Sequence, residues 1–206
     1  MITNFPESGV FFTSDTHFNH KSILQLCNRP FNSIEEHDQK LIENWNSVVG
    51  VEDTVFHLGD FCFGNAQKWK EIRNQLNGHI ILIIGNHDVK QVSQGIASLF
   101  DYVTMQMRIT INGRTVYLNH YPFLTFAHWN TEVYHDNVSF ALNGHVHLRK
   151  DDTGFDAQFI KMYKNTQYEV GVDLNNYTPI SWKEVNRRIH YQIDNDTNVE
   201  HWINND

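Results

Sequence analysis

Aspartate and histidine, side chains that hold divalent transition metals, cluster in this chain at the ends of short apolar runs. Val10-Phe11-Phe12-Thr13-Ser14 leads into Asp15-Thr16-His17, and Val55-Phe56-His57-Leu58-Gly59 into Asp60. Ile80 to Gly85 leads into Asn86-His87-Asp88, Val116-Tyr117-Leu118 into Asn119-His120, and Phe140-Ala141-Leu142 into Asn143-Gly144-His145-Val146-His147. Runs of this length read as buried strands. In open α/β sheets, ligands collect beyond the carboxyl ends of the strands. The pattern therefore predicts five polar strand ends converging on one rim, and a metal site on that rim.

Asp15 and His17 stand two apart, as do His145 and His147. On extended backbone such pairs project to one side, so each pair can address one metal site. A lone H-x-H is weak evidence, but five ligand-bearing strand ends make coincidence a poor account. The set of His17, His120, His145, His147, Asp15, Asp60 and Asn86 is too large for one tetrahedral zinc with an open position, and suits two metals sharing a carboxylate. Two divalent ions against two aspartates leave a surplus of about +2, which an anion answers. A phosphate ester fits, because a two-metal clamp stabilises both oxygens of an in-line displacement and activates a water, with no serine or cysteine nucleophile required.

Composition narrows the classes. With 206 residues the chain suits one domain, 1–206, able to bury a core without disulfides. Sixteen Lys and Arg against 24 Asp and Glu give a net charge of -8, which disfavours non-specific nucleic-acid binding and an acidic membrane face. Cys27 and Cys62 form no CxxC pair and fit a reducing compartment. Met1 to Gly9 lacks the features of a signal peptide, and no run approaches the ~18 apolar residues of a membrane span. The cytoplasm is the expected location. The 13 histidines exceed the usual complement of such a domain and call for a joint explanation.

The elements that position these residues begin as strand, helix, strand, helix, strand. Strands are predicted at 10–14, 54–58 and 79–84. A helix follows Ser33, with Glu36 three residues on as a capping box, and a second runs from about Asn65 to Leu76. Helical crossovers imply parallel pairing. Asn112-Gly113 between Arg108–Ile111 and Thr115–Leu118 predicts a type I′ hairpin. A strand at 139–143, a polar excursion over Arg149–Asn165, a short strand at Glu169–Asp173 and a helix from Ser181 to about Ile193 complete the expectation. The polar tail 194–206 is expected to be loose.

Asp15-x-His17, Gly59-Asp60, Gly85-Asn86-His87-Asp88, Asn119-His120 and Gly144-His145-x-His147 together resemble the ordered motif set of the calcineurin-like metallophosphoesterases. The resemblance spans residues 10–147. Within that superfamily the chain is similar to the small bacterial and phage-type phosphoesterases, through Ser14-Asp15-Thr16-His17-Phe18-x-His20, Arg29-Pro30-Phe31, Leu58-Gly59-Asp60-Phe61 and Gly171-Val172-Asp173 with Tyr177 and Pro179. It implies a four-layer α/β/β/α sandwich of two mixed β-sheets flanked by helices. It also implies Asp15, His17 and His147 on one metal, Asn86, His120 and His145 on the other, and Asp60 bridging them. His87 matches the histidine that touches the phosphate or protonates the leaving oxygen, and Asp88 is placed to orient it.

The expected activity is metal-dependent hydrolysis of a phosphodiester or phosphomonoester, with nucleotides and cyclic nucleotides among the substrates. Mn²⁺ heads the expected metals, with Fe, Zn²⁺, Ni²⁺ and Co²⁺ suited to the same donors. The alternatives are a nuclease acting on DNA or RNA and a binding module without turnover. His20 reaches either the substrate or only the start of a helix. Arg29 is either a bidentate phosphate ligand or an ordinary loop residue. His57 reads as a core histidine and Cys62 as a small buried hydrophobe. Asp173 and Tyr177 read as supports of the cleft or as a turn residue and a packed ring. His37 and the remaining histidines carry no role.

Overall fold

A computed structural model of the chain describes residues 4–149 and 160–205. Its strands are β1 (Asn4–Phe5), β2 (Val10–Thr13), β3 (Thr54–His57), β4 (His79–Ile83), β5 (Tyr102–Thr104), β6 (Gln106–Ile111), β7 (Arg114–Asn119), β8 (Phe140–Asn143), β9 (Gln167–Glu169) and β10 (Ile180–Ser181). Two mixed sheets result, in the orders β10-β2-β3-β4-β5 and β1-β6-β7-β8-β9. Strands β2 to β5 run parallel with β10 antiparallel at the edge, whereas β6 and β7 form an antiparallel hairpin continued in parallel by β8 and β9. The hairpin turn places Asn112 at φ 46° and Gly113 at φ 79°, the left-handed pair that a type I′ turn demands.

Alternation along the strands builds two cores. Val10, Phe12, Phe56, Ile81 and Ile83 face Ile109, Ile111, Val116, Leu118, Phe140 and Leu142 between the sheets. Val55, Ile80 and Leu82 point the other way, toward α2 (Ile34–Val48) and α3 (Ala66–Arg73), where Leu41, Ile42, Trp45, Trp69 and Ile72 cover them. Each such side chain contributes roughly 1.5–3 kcal/mol on full burial. Helix α2 starts where expected: Ser33 Oγ accepts from the Glu36 N–H at 3.1 Å, while the Glu36 carboxylate reaches one residue further back, to the Asn32 N–H at 2.9 Å. The short helices α1 (Ile23–Leu26), α4 (Val89–Ser93) and α5 (Thr131–Tyr134) lie in the loops.

Helix α6 (Trp182–Asp194) contacts β10, β2 and β9, and so joins the edges of both sheets. The tail corrects the sequence expectation. Instead of hanging loose it forms α7 (Glu200–Asn205), with Val199, Trp202 and Ile203 in the inter-sheet core and Trp202 Nε1 donating to Gln192 Oε1 at 3.0 Å. Three apolar residues in a polar stretch suffice to dock it. Positions 150–159 of the expected surface excursion lie outside the described residues. Among the described residues no helix is long and apolar enough to cross a membrane.

Candidate metal centre

The ends of β2, β3 and β4 from one sheet and of β7 and β8 from the other meet at one rim. Beyond the strands the backbone stays paired: Asp15 N–H donates to Gly59 O, His17 N–H to Asp60 O and Phe18 N–H to Phe61 O, at 2.9 to 3.0 Å. The ligand pairs do not converge by strand alternation, as the spacing predicts. Asp15, His17, Asp60, His145 and His147 have φ of 56°, 48°, 56°, 75° and 56°, all in the left-handed region. Asp and His tolerate that region better than most residue types, so residues suited to binding metal are also suited to the turns that aim them.

Each aspartate splits its two oxygens between structure and centre. Asp15 Oδ2 accepts from the His145 N–H at 2.9 Å, and Asp60 Oδ1 from the His87 N–H at 2.9 Å. The other oxygens face inward. Asp60 Oδ2 lies 3.6 Å from His17 Nε2 and 3.6 Å from His120 Nε2, and Asp15 Oδ1 lies 3.7 Å from His147 Nε2. Donors ~2.1 Å from a common ion stand about 3–3.5 Å apart at ordinary coordination angles, so these separations are near those of co-ligands. Asp15, His17 and His147 form one such group, and Asp15, Asp60 and His120 an overlapping one. Asp15 Oδ1 and His17 Nε2 are buried without a hydrogen-bond partner. Such atoms are costly unless something pairs with them.

The imidazoles are held from outside the centre. His120 Nδ1 donates to Leu58 O at 2.7 Å, which turns Nε2 inward to stand 3.0 Å from the carbonyl Oδ1 of Asn86. That separation is close to the spacing of two donors on one ion. His147 Nδ1 donates to Asp173 Oδ2 at 2.7 Å, which likewise turns Nε2 inward. His17 Nδ1 pairs with His20 Nδ1 at 3.2 Å. Outer partners of this kind fix the tautomer and orientation of metal-binding histidines. The donor set therefore fits divalent metal.

Charge follows burial. Desolvation, with His147 next, holds His17 well below the usual histidine value. Burial also opposes charge on His147, but the Asp15 and Asp173 carboxylates outweigh it and raise its pKa well above that value. Burial and Asp15 push Asp60 up against the pull of His120. Two glycines let the loops pass. A Cβ at Gly59 would stand 2.6 Å from both Gly85 N and His120 Nδ1, and one at Gly144 would overlap Ser14 Oγ and Asp15 Oδ2.

His87 sits at the open side with its side chain 45% exposed and Nε2 3.9 Å from Asp60 Oδ2. His145 is also exposed, its ring 5.0 Å from that of His120 and 4.6 Å from that of Tyr121. His20 reaches the centre's edge, stacked on Phe63 at 3.7 Å. Asp88 is a correction. Its carboxylate accepts from the backbone N–H groups of Gly85, Asp60 and Phe61 at 2.7 to 2.9 Å, so it ties the β3 and β4 loops together and does not orient the His87 ring. Burial lifts its pKa to about 6 against those hydrogen bonds.

Arg29 is a second correction. It is 4% exposed, and its N–H groups point inward to Asp173, Thr16 O, Asp15 O and His37, leaving no fork for a phosphate. His57 is a core histidine, donating from Nε2 to Thr16 Oγ1 while its Nδ1 accepts from the Gly59 N–H. Burial pushes the Cys62 thiol up, as suits an inert side chain. Sequence reasoning missed Glu169 and His37. Glu169 is buried and accepts from the His147 and Leu148 N–H groups, both at 2.8 Å. A charged residue inside the apolar run Tyr168-Glu169-Val170 was the available signal.

The chain is similar to known proteins over most of its length. Residues 9–160 match the model of the calcineurin-like phosphoesterase superfamily domain. The uncharacterized protein MJ1445 of Methanocaldococcus jannaschii is 32% identical over 174 residues, covering 84% of this chain and 86% of that protein. The gene 66 protein of Mycobacterium phage L5 is 29% identical over 182 residues, covering 73% and 87%. The crystal structure of AQ665, a protein of unknown function from Aquifex aeolicus, superposes with a TM-score of 0.63 at 27% identity, over 86% of this chain and 97% of that one. The chain belongs to the calcineurin-like phosphoesterase superfamily, and so to a class of metal-dependent phosphoester hydrolases.

Proposed function

We propose that this chain hydrolyses a small phosphoester, a phosphodiester or phosphomonoester of the nucleotide or cyclic nucleotide type, at a centre of two divalent ions. In this reading Asp15, His17 and His147 hold one ion, Asn86, His120 and His145 the other, and Asp60 both. The observation that carries it is Asp60 Oδ2, equally distant at 3.6 Å from an imidazole of each set. Bound there, the ions supply Lewis acidity toward the phosphoryl oxygens and lower the pKa of water. Mn²⁺ is the proposed metal, and the mixed carboxylate, imidazole and amide donors also suit Fe, Zn²⁺, Ni²⁺ and Co²⁺. The proposed compartment is the cytoplasm, where two free buried cysteines stay reduced.

The chain's own residues do the rest. His87, exposed at the mouth, protonates the leaving oxygen from Nε2. With His17 Nε2 turned to the metal, its proton lies on Nδ1 and is donated to His20 Nδ1. His20 then carries its own proton on Nε2, a donor for a phosphate oxygen, while Phe63 holds the ring plane. The net charge of -8 favours a small substrate over non-specific capture of a polynucleotide.

The test is a phosphoester panel run with each metal on wild type and on His87→Ala. Turnover of the best substrate is expected to fall 10²–10⁴-fold, with bound metal unchanged. Full activity of that variant on every substrate would remove His87 from the reaction, and metal loading of the wild type without hydrolysis of any substrate would leave only a binding module.

A further inference from the structure

We propose that Arg29 and Asp173 are a positioning pair for one ion alone, the one assigned to Asp15, His17 and His147. This rests on the two-ion reading above. The pair spans the seam between the sheets. Arg29 follows β2 and Asp173 follows β9, 144 positions apart, and they join through Nε to Oδ1 at 2.9 Å and Nη2 to Oδ2 at 2.8 Å. On one side the guanidinium donates to the carbonyls of Asp15 at 2.7 Å and Thr16 at 3.0 Å. On the other, Asp173 Oδ2 accepts the Nδ1 proton of His147 at 2.7 Å. One planar group thus sets the peptide planes of Asp15 and Thr16 and, through a single carboxylate, the ring of a ligand from the opposite sheet.

Those peptide planes matter because Asp15 and His17 both have positive φ, so the aim of their side chains depends on how the intervening carbonyls are held, and Arg29 holds both. Arg29 is itself held. Its Nη1 donates to His37 Nε2 at 2.8 Å, His37 Nδ1 donates to Asp38 Oδ1 at 2.8 Å, and Asp38 Oδ2 accepts from the Asn19 N–H at 2.9 Å, just past His17. The circuit closes on the loop it supports. A buried ion pair is weak evidence for stability in its own right, and here both partners end on ligand residues. The other ion position is held differently: the His120 ring is fixed by Leu58 O, and among the described residues no hydrogen bond of Arg29 or Asp173 runs directly to Asn86, His120 or His145.

The pair therefore acts asymmetrically, which a general structural role would not. The experiment measures Mn²⁺ bound per chain by equilibrium dialysis, with electron paramagnetic resonance to detect a spin-coupled pair. Wild type, Asp173→Asn, Arg29→Lys and Arg29→Ala are compared, the last with and without low-millimolar guanidinium. Wild type is expected to bind two ions as a coupled pair. Asp173→Asn and Arg29→Ala are expected to keep one ion at wild-type affinity and to bind the other about 10–100-fold more weakly, without the coupled signal. Free guanidinium restores it, and Arg29→Lys, lacking the planar fork, does not. If Arg29→Ala does not fold, the near-isosteric Asp173→Asn decides alone. Two ions at wild-type affinity in Asp173→Asn, or equal weakening of both, overturns the inference. Fewer than two ions in wild type overturns the two-ion reading itself.

Discussion

Asp15 and His17 are 0% and 2% exposed, whereas of the residues across Asp60 from them only His120 is buried and Asn86 and His145 are exposed. The first set is backed by Arg29, Asp173, Glu169 and His20, while among the described residues the support of the second includes the Leu58 carbonyl on His120, the Asp15 carboxylate on the His145 N–H and the ring of Tyr121. The difference teaches a division of labour. The buried half is built in advance, and the open half is where an ion, a substrate and the His87 side chain can meet. Asp60 is the only proposed ligand that serves both.

Breaking the comparison at Asp60 has the largest expected effect. In Asp60→Asn the inward oxygen becomes an amide that repels both cations, so activity is expected to fall about 10³-fold, the upper scale for loss of one electrostatic group, with bound metal measured in parallel. Retention of two ions by that variant would mean the halves are independent. Stepwise chelation sharpens the contrast at a smaller scale. Limiting chelator is expected to remove one ion first, with a second removed at roughly 10–100-fold higher chelator, and Asn86→Ala should abolish only the weaker step.

The smallest effect concerns pH in the metal-free protein. Burial, reinforced by Asp15, raises Glu169 from an ordinary 4.5 to about 8. Between those values the folded chain keeps a proton that the unfolded chain releases, so stability is present at low pH and is lost as pH rises through that window, by at most ~1.4 kcal/mol per pH unit. Urea unfolding from pH 5 to 8 in chelator measures it. Glu169→Gln should make the profile shallower, leaving the part that Asp88 and His147 contribute, and an unchanged slope would locate the titration elsewhere.

Much of this was legible in the order of residues. Strands β2, β3, β4 and β8 write their burial into consecutive apolar positions, and the residues after them are those that meet at the rim. What escaped depends on contacts distant in the chain. An Arg before Pro30 carries no mark of enclosure, because its partner Asp173 arrives 144 residues later. Asp88 reads as a neighbour of His87, yet its carboxylate turns back under Gly85 and Asp60. The convergence of Asp15 with His17 follows from left-handed turns, which period-two alternation cannot express. The tail reads as loose because Trp202 and Ile203 are outnumbered by polar residues, and a helix needs only one apolar stripe.

Left-handed backbone at five of the proposed ligand positions has a consequence for how the site is held. Non-glycine residues in that region cost about 1–3 kcal/mol each, and here the cost is met by backbone pairing between the Asp15 and Asp60 loops and by amides of His145 and His147 docked on carboxylates. The aim of these side chains is therefore secured by the chain's own backbone amides, carbonyls and carboxylates, from both sheets at once.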